Sequence, residues 1–281
     1  ILDCVLLEGA SSFTGEGDIT QRNSNLTIKN TATFFTTGNI LLDSNDNDFT
    51  TVNINFASNV NLVDANDIAI DVSSMAGNLT VNNLSGTITS SQGINTNGGN
   101  VSLSSFESVN LLNSIDTRGF IEESTPITGG NVVVDAPNIN LSNINTASGL
   151  GGNVTIRNTA INTGNITVGN IDARGGDIVI YAPQGSINTG ELSSFNSTAL
   201  NFSGKINLVG GSGISTSNIT LGSLSGENFG SLIINTPSTV NILGTVNTNG
   251  SSVSIGTFND SFSVDSNIPS EVNVARSILT N

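Results

Sequence analysis

The residues best suited to chemistry in this chain are acidic and lie close together. Asp43, Asp46 and Asp48 alternate with Ser44, Asn45 and Asn47, so carboxylate and amide oxygens recur along one short stretch. Hard divalent cations take oxygen ligands of this kind, which makes the three aspartates the candidate ligands of a weakly held Ca²⁺. The stretch is not an EF-hand: that loop needs Gly at its sixth position and Glu at its twelfth, where this chain has Asp48 and Ile54. The competing reading is a solvated corner of the fold. Asp64, Asp67 and Asp71 form a second acidic group, which strand alternation spreads over different faces.

Catalytic alternatives are thin. The sequence has no His, so Ser–His schemes fail, and it has no Gly-x-Ser-x-Gly elbow or phosphate-binding loop. A polysaccharide lyase stabilises a carbanion-like intermediate with basic side chains. Here these are only Lys29, Lys205 and the scattered Arg22, Arg118, Arg157, Arg174 and Arg276. A glycosidase needs two carboxyl groups at a suitable separation. Glu122 with Glu123, or Asp43 with Asp46, are the pairs to nominate, but neighbours on a strand face opposite ways. The expectation is a chain without catalysis and without a cofactor, calcium apart. The alternative kept open is a polysaccharide-processing enzyme or a glycan-binding module built on a β-helix.

Composition narrows the partners. Net charge is −15, from 7 Lys plus Arg against 22 Asp plus Glu, and the isoelectric point is about 4.1. Phosphate backbones and anionic lipid both need clustered cations, so nucleic acid is not expected as a partner and electrostatic binding to anionic lipid is disfavoured. No apolar run is long enough for a membrane-spanning helix. Hydrophobic residues make up 36% of the chain, too many for low-complexity disorder. Cys4 stands alone, so no intrachain disulfide forms, and it reads as a small buried hydrophobe. The chain does not begin with Met and has no charged-then-apolar leader, so it reads as a mature product or part of something longer.

The elements that position all these groups are short strands. Leu26-Thr27-Ile28, Val52–Phe56, Val60-Asn61-Leu62, Leu79-Thr80-Val81, Ile139-Asn140-Leu141, Ile166-Thr167-Val168, Ile219-Thr220-Leu221 and Val240-Asn241-Ile242 alternate with period two between Asn, Gly and Ser. A phrase then recurs: a glycine pair, Asn or Asp, and alternating aliphatics. It stands at Gly98-Gly99-Asn100-Val101, Gly129-Gly130-Asn131-Val132, Gly151-Gly152-Asn153-Val154 and Gly175-Gly176-Asp177-Ile178. Looser echoes follow at Gly204, Gly230 and Gly250. Steps of about 20 to about 31 residues signal a solenoid.

The fold class expected is therefore all-β, a right-handed parallel β-helix, running as one continuous solenoid over residues 1–281. Residues 1–94 form less regular coils, 95–258 the regular glycine-pair coils, and 259–281 a terminal coil or tail. Coils of about 22–26 residues give eleven or twelve turns at about 4.8 Å each. Stacking buries the aliphatic side that one coil cannot bury alone. The inward positions expected are Val101, Leu103, Val132, Val134, Val154, Ile156, Ile178, Ile180, Ile206, Leu208, Leu232, Ile234, Val253 and Ile255. Stacked Asn side chains are expected to hydrogen-bond between coils. The stretch from Ile115 to Thr128 reads as an extruded loop suited to recognition.

Asn47-Asp48-Phe49-Thr50-Thr51-Val52, Ala57–Asn66, Ile68-Ala69-Ile70 and Gly77-Asn78-Leu79-Thr80-Val81 resemble the repeat region of filamentous haemagglutinin-like exoproteins. Gly164–Ile171 and Gly176-Asp177-Ile178 resemble the cyanobacterial type of that group, and together the similarity covers most of residues 39–256. The resemblance implies a parallel β-helix, export by two-partner secretion, and a place outside the cell or on a bacterial surface. It also implies adhesion or matrix building, with cell-surface or matrix glycans as partners. The Asn-Pro-Asn-Gly type signature of the family's secretion domain does not occur in this sequence. Open solenoid ends further suggest end-to-end self-association.

Overall fold

In a computed structural model the chain is an all-β solenoid of about 10 turns, with no helix among the described residues. The described residues are 1–281 apart from 4, 23, 120–127, 162, 197–203, 222–229, 250, 259–263, 266–270, 275–277 and 280–281. Beyond residue 256 only backbone strand pairing is described. Cys4 lies outside them, as do Phe120, Glu122, Glu123 and Pro126 of the expected loop.

Each coil has three faces. The first face stacks Ile19–Thr20, Ile40–Leu42, Val60–Asp64, Leu79–Asn83, Val101–Ser105, Val132–Ala136, Val154–Asn158, Ile178–Ala182, Ile206–Gly210, Ser231–Asn235 and Ser252–Phe258 as parallel neighbours. The second face carries strands such as Thr87–Ser90, Ser108–Leu111, Asn138–Leu141 and Ser186–Thr189. The third carries two-residue strands such as Ile94–Asn95, Ile115–Asp116 and Ile171–Asp172. Among the described residues the antiparallel pairing of Ser252–Phe258 with Val264–Asp265 is the departure from parallel order. Glu271–Val274 and Ile278–Leu279 pair in parallel with Thr239–Ile242 and Val246–Asn247.

The early coils differ as their sequence suggests. Leu26–Thr36 and Asp48–Phe56 run through the second and third faces as single strands, bent by a register shift between Ile28 and Thr31. Their core holds phenylalanines: Phe34 and Phe49 are fully buried, and Phe13 stacks on Phe34 at 4.8 Å between ring centres. Later coils fill the same axis with Val, Ile and Leu. Of the expected inward positions all are buried except Val253 and Ile255, which pack half-buried against the core. No described strand stacks evenly over that last row. Among the described residues eleven parallel strands stack on the first face, in keeping with the eleven or twelve turns expected, and coil length varies from a 19-residue step at Asn59–Asn78 to 31 at Asn100–Asn131.

The recurring phrase now has a physical cause at each letter. Its Asx residue builds a ladder along the solenoid: each side-chain oxygen accepts an N–H of the same position one coil on. The run passes through Asp18, Asn39, Asn59, Asn78, Asn100, Asn131, Asn153, Asp177 and Lys205, with links of 2.7–2.9 Å. Every link but Asn59 to Asn39 uses a backbone N–H. Lys205 donates to Asp177 but has no side-chain acceptor, so that row ends there. The second glycine lies where successive coils approach most closely. A Cβ on Gly99, Gly130, Gly152, Gly176 or Gly204 would fall inside the carbonyl oxygen of Gly77, Gly99, Gly130, Gly152 or Gly176 respectively. The first glycine turns the chain at Gly98 and Gly175, with φ of +97° and +94°.

The glycine carbonyls are met from inside. Thr96, Thr117 and Thr146, all fully buried, donate their hydroxyls to Gly99, Gly130 and Gly152 at 2.5–2.7 Å. Ahead of each threonine, Asn95, Asp116 and Asn145 accept the N–H two residues on, closing an Asx turn at 3.0–3.2 Å. The repeat is thus Ile-Asx-Thr followed, after a spacer of variable length, by Gly-Gly-Asx-Val, with a single-residue spacer at Ile94–Val101 and longer ones after Thr117 and Thr146.

Candidate functional site

Asp43, Asp46 and Asp48 are not drawn into one cage. Asp43 and Asp46 are exposed, while Asp48 is half-buried and ion-paired to Lys29. That hydrogen-bonded pairing holds the Asp48 carboxyl below its ordinary range, against the opposing effect of burial. Among the described residues no group of three or more His, Cys, Asp or Glu is placed to hold a metal ion. The residue between them is structural: Asn47 is fully buried, accepts the N–H of Leu26 at 2.9 Å and donates to the Gln21 side chain at 3.0 Å.

The second acidic group is also dispersed. Asp64 is fully buried and accepts N–H groups from Phe49 and Asn66 at 2.7 and 3.1 Å. Burial raises its pKa to about 7, opposed by those two hydrogen bonds and assisted by the charges of Asp48 and Asp67. Asp71 feels the same burial, but donors from Ser91, Gln92 and Ser90 outweigh it and hold its pKa below the ordinary value. Asp67 accepts the N–H of Thr87 at 2.8 Å on the coil above. These carboxylates cap and staple coils.

A concave surface lies elsewhere, at the corner between the first and second faces. Corner length varies sharply there. Val132–Ala136 passes to Asn138–Leu141 through Pro137 alone, whereas Val154–Asn158 reaches Ile166–Val168 only after residues 159–165. Proline suits the single-residue corner, since its φ is fixed and no N–H is left to satisfy. A short corner below a long one leaves a groove of about 700 Å³, lined by Asn82, Asn83, Leu84, Ser104, Ser105, Phe106, Pro137, Asn138, Thr159, Ala160, Ile161 and Thr163.

The groove is uncharged and well braced. Phe106 and Ile161 stand in its lining at 68% and 94% exposure, on coils separated by the Pro137 corner. Buried Asn158 ties the long corner down: its amide donates to the Pro137 carbonyl and its oxygen accepts the Ala160 N–H, both at 2.7 Å. On the other coils buried Ser105 donates to the Gly86 carbonyl at 2.5 Å, and buried Asn83 accepts the Gly86 N–H at 2.7 Å. Amides and hydroxyls with one aromatic ring can hold a polar, uncharged ligand; they cannot transfer a proton at neutral pH.

Reading along the sequence misses this groove, because Phe106 and Ile161 come to line one surface only through the stacking of coils. The one cue in the residues is the contrast between Ala136-Pro137-Asn138 and the long Asn158–Asn165 run in equivalent places. Among the described residues no helix is long and apolar enough to cross a membrane.

Among known proteins, a family model described as repeats of unknown function (DUF5649) matches residues 2–55, the phenylalanine-cored coils and not the regular ones. No curated protein and no solved structure matches the chain.

Proposed function

We propose that this chain is part of a secreted or surface-displayed structural protein, an adhesin or a building block of an extracellular filament, acting as a rigid rod without catalysis. The observation that carries the proposal is the unbroken Asx ladder from Asp18 to Lys205 beside a continuous aliphatic core. Such coupling of each coil to its neighbours makes a stiff one-dimensional body, roughly 48 Å long for ten turns at 4.8 Å each. A strongly negative surface favours dispersal in water and disfavours anionic partners. The haemagglutinin-like resemblance over residues 39–256 supports an extracellular place, and the matched repeat model supports a repeat protein without specifying a role. Within this proposal the partners are glycans of a cell surface or matrix, and other copies of the chain joined end to end.

Two measurements test it together. Electron microscopy of the purified chain should show stiff rods, lengthening with concentration if copies join. Beads coated with it should adhere to cells or matrix. Release of reducing ends from polysaccharides by the pure protein would replace the structural reading with an enzymatic one.

A further inference from the structure

The geometry points to the corner groove beside Phe106 as a binding site for an uncharged oligosaccharide laid along the solenoid axis. The inference rests on the adhesive reading and deepens it by naming a site and a ligand class. The groove volume of about 700 Å³ is that of a ligand site. It runs from the coil of Leu84 to that of Ile161, three coil steps or roughly 14 Å, enough for a few sugar rings in a row.

Its chemistry selects the class. Phe106 offers an exposed aromatic face, which suits the C–H face of a pyranose. Asn82, Asn138, Ser104 and Thr159 supply both donors and acceptors for sugar hydroxyls. Among the described lining residues there is no Asp, Glu, Lys or Arg to hold a charged ligand, and the net charge of −15 repels acidic polymers. An extended peptide is disfavoured for a separate reason. Peptides commonly add to a free sheet edge, and the strands beneath this groove are paired on both sides, Val101–Ser105 with Leu79–Asn83 and Val132–Ala136, and the latter with Val154–Asn158. Bracing by Asn158, Ser105 and Asn83 sets the floor before any ligand arrives, which lowers the ordering cost of binding.

Isothermal titration with cellohexaose, xylohexaose, maltohexaose and the acidic hexagalacturonate tests the site. At least one neutral hexasaccharide should bind, Phe106→Ala should weaken it by about tenfold or more, and Phe106→Tyr should retain it. Circular dichroism and melting of each variant check that the rod is intact. The site is overturned if no neutral hexasaccharide binds at millimolar concentration, if Phe106→Ala binds as the parent does, or if hexagalacturonate is preferred. Bead adhesion reads the broader function separately. Adherent beads from a chain that binds no hexasaccharide would discard the groove and keep the adhesin; oligosaccharide binding without adhesion would do the reverse.

Discussion

The side-chain oxygen of Asn131 accepts the backbone N–H of Asn153 at 2.8 Å, and Asn131 in turn donates its own N–H to Asn100 at 2.7 Å. Asn131 is therefore both the satisfied and the satisfier, as are the ladder residues between the two ends of the run. Asn131→Ala removes the acceptor and leaves the Asn153 N–H to water, which at this exposed position costs about 1 kcal/mol. Asn131→Asp keeps the acceptor, as Asp177 does naturally for Lys205 at 2.8 Å. Urea unfolding should place Asn131→Ala below the parent and Asn131→Asp close to it.

The glycine beside each ladder residue is held by space. A Cβ at Gly130 would overlap the Gly99 carbonyl, and backbone can yield only by separating two coils. Gly130→Ala should destabilise by about 2–3 kcal/mol, the upper part of the overpacking range. Gly9→Ala is the control, because a Cβ there meets nothing within 4 Å. It should be neutral or slightly stabilising through the unfolded chain. Equal effects of the two substitutions on the thermal midpoint would remove the close-approach account.

Much of this rod is legible in the residues, and what is not legible has a common cause. Gly129-Gly130-Asn131-Val132 announces its strand because coil geometry constrains each of these types locally. The inner hydroxyl of Thr117 announces itself less, since Ile115-Asp116-Thr117 is read as the start of a loop unless aligned with Ile94-Asn95-Thr96 and Ile144-Asn145-Thr146. Asp64 shares the parity of Val60 and Leu62, so period two already turns it inward. Its carboxyl obscures that, because a buried acid is the rarer outcome. The groove is hidden altogether, as Phe106, Pro137 and Ile161 come from different coils. Register between coils of unequal length is a tertiary fact.

Calcium should leave this fold unmoved. Asp48 is engaged with Lys29, Asp43 and Asp46 face solvent, and the amide of Asn47 is turned inward to Gln21. The thermal midpoint with millimolar Ca²⁺ should equal that with chelator, within the scatter of repeat scans. Asp48→Asn should cost less than about 1 kcal/mol, as expected of a partly exposed ion pair. A midpoint that rises with calcium, and no longer does so in Asp48→Asn, would restore the aspartates as ligands.

Asp64 gives the rod a pH dependence of definite sign. Its folded pKa, about 7, lies above the ordinary 3.8, so the folded state holds the proton more tightly than the unfolded one. Its contribution is fully favourable below pH 3.8 and is lost as pH rises through 7. Asp48, Asp71 and Asp116 are shifted downward and act oppositely, losing their stabilisation only in more acidic solution. The two effects separate by comparing the parent with Asp64→Asn. Asparagine keeps an oxygen to accept the Phe49 N–H, as Asn47 does for Leu26. It carries no charge to bury at any pH. Urea midpoints should therefore fall between pH 5 and pH 8 more steeply in the parent than in Asp64→Asn. The Asn66 N–H loses its Oδ2 acceptor in the variant, a cost without pH dependence. The difference in slope rather than the absolute midpoint therefore carries the test, each tenfold difference in proton affinity between folded and unfolded chains being worth ~1.4 kcal/mol. Parallel pH profiles for the two proteins would mean that Asp64 ionises in the fold as it does in water.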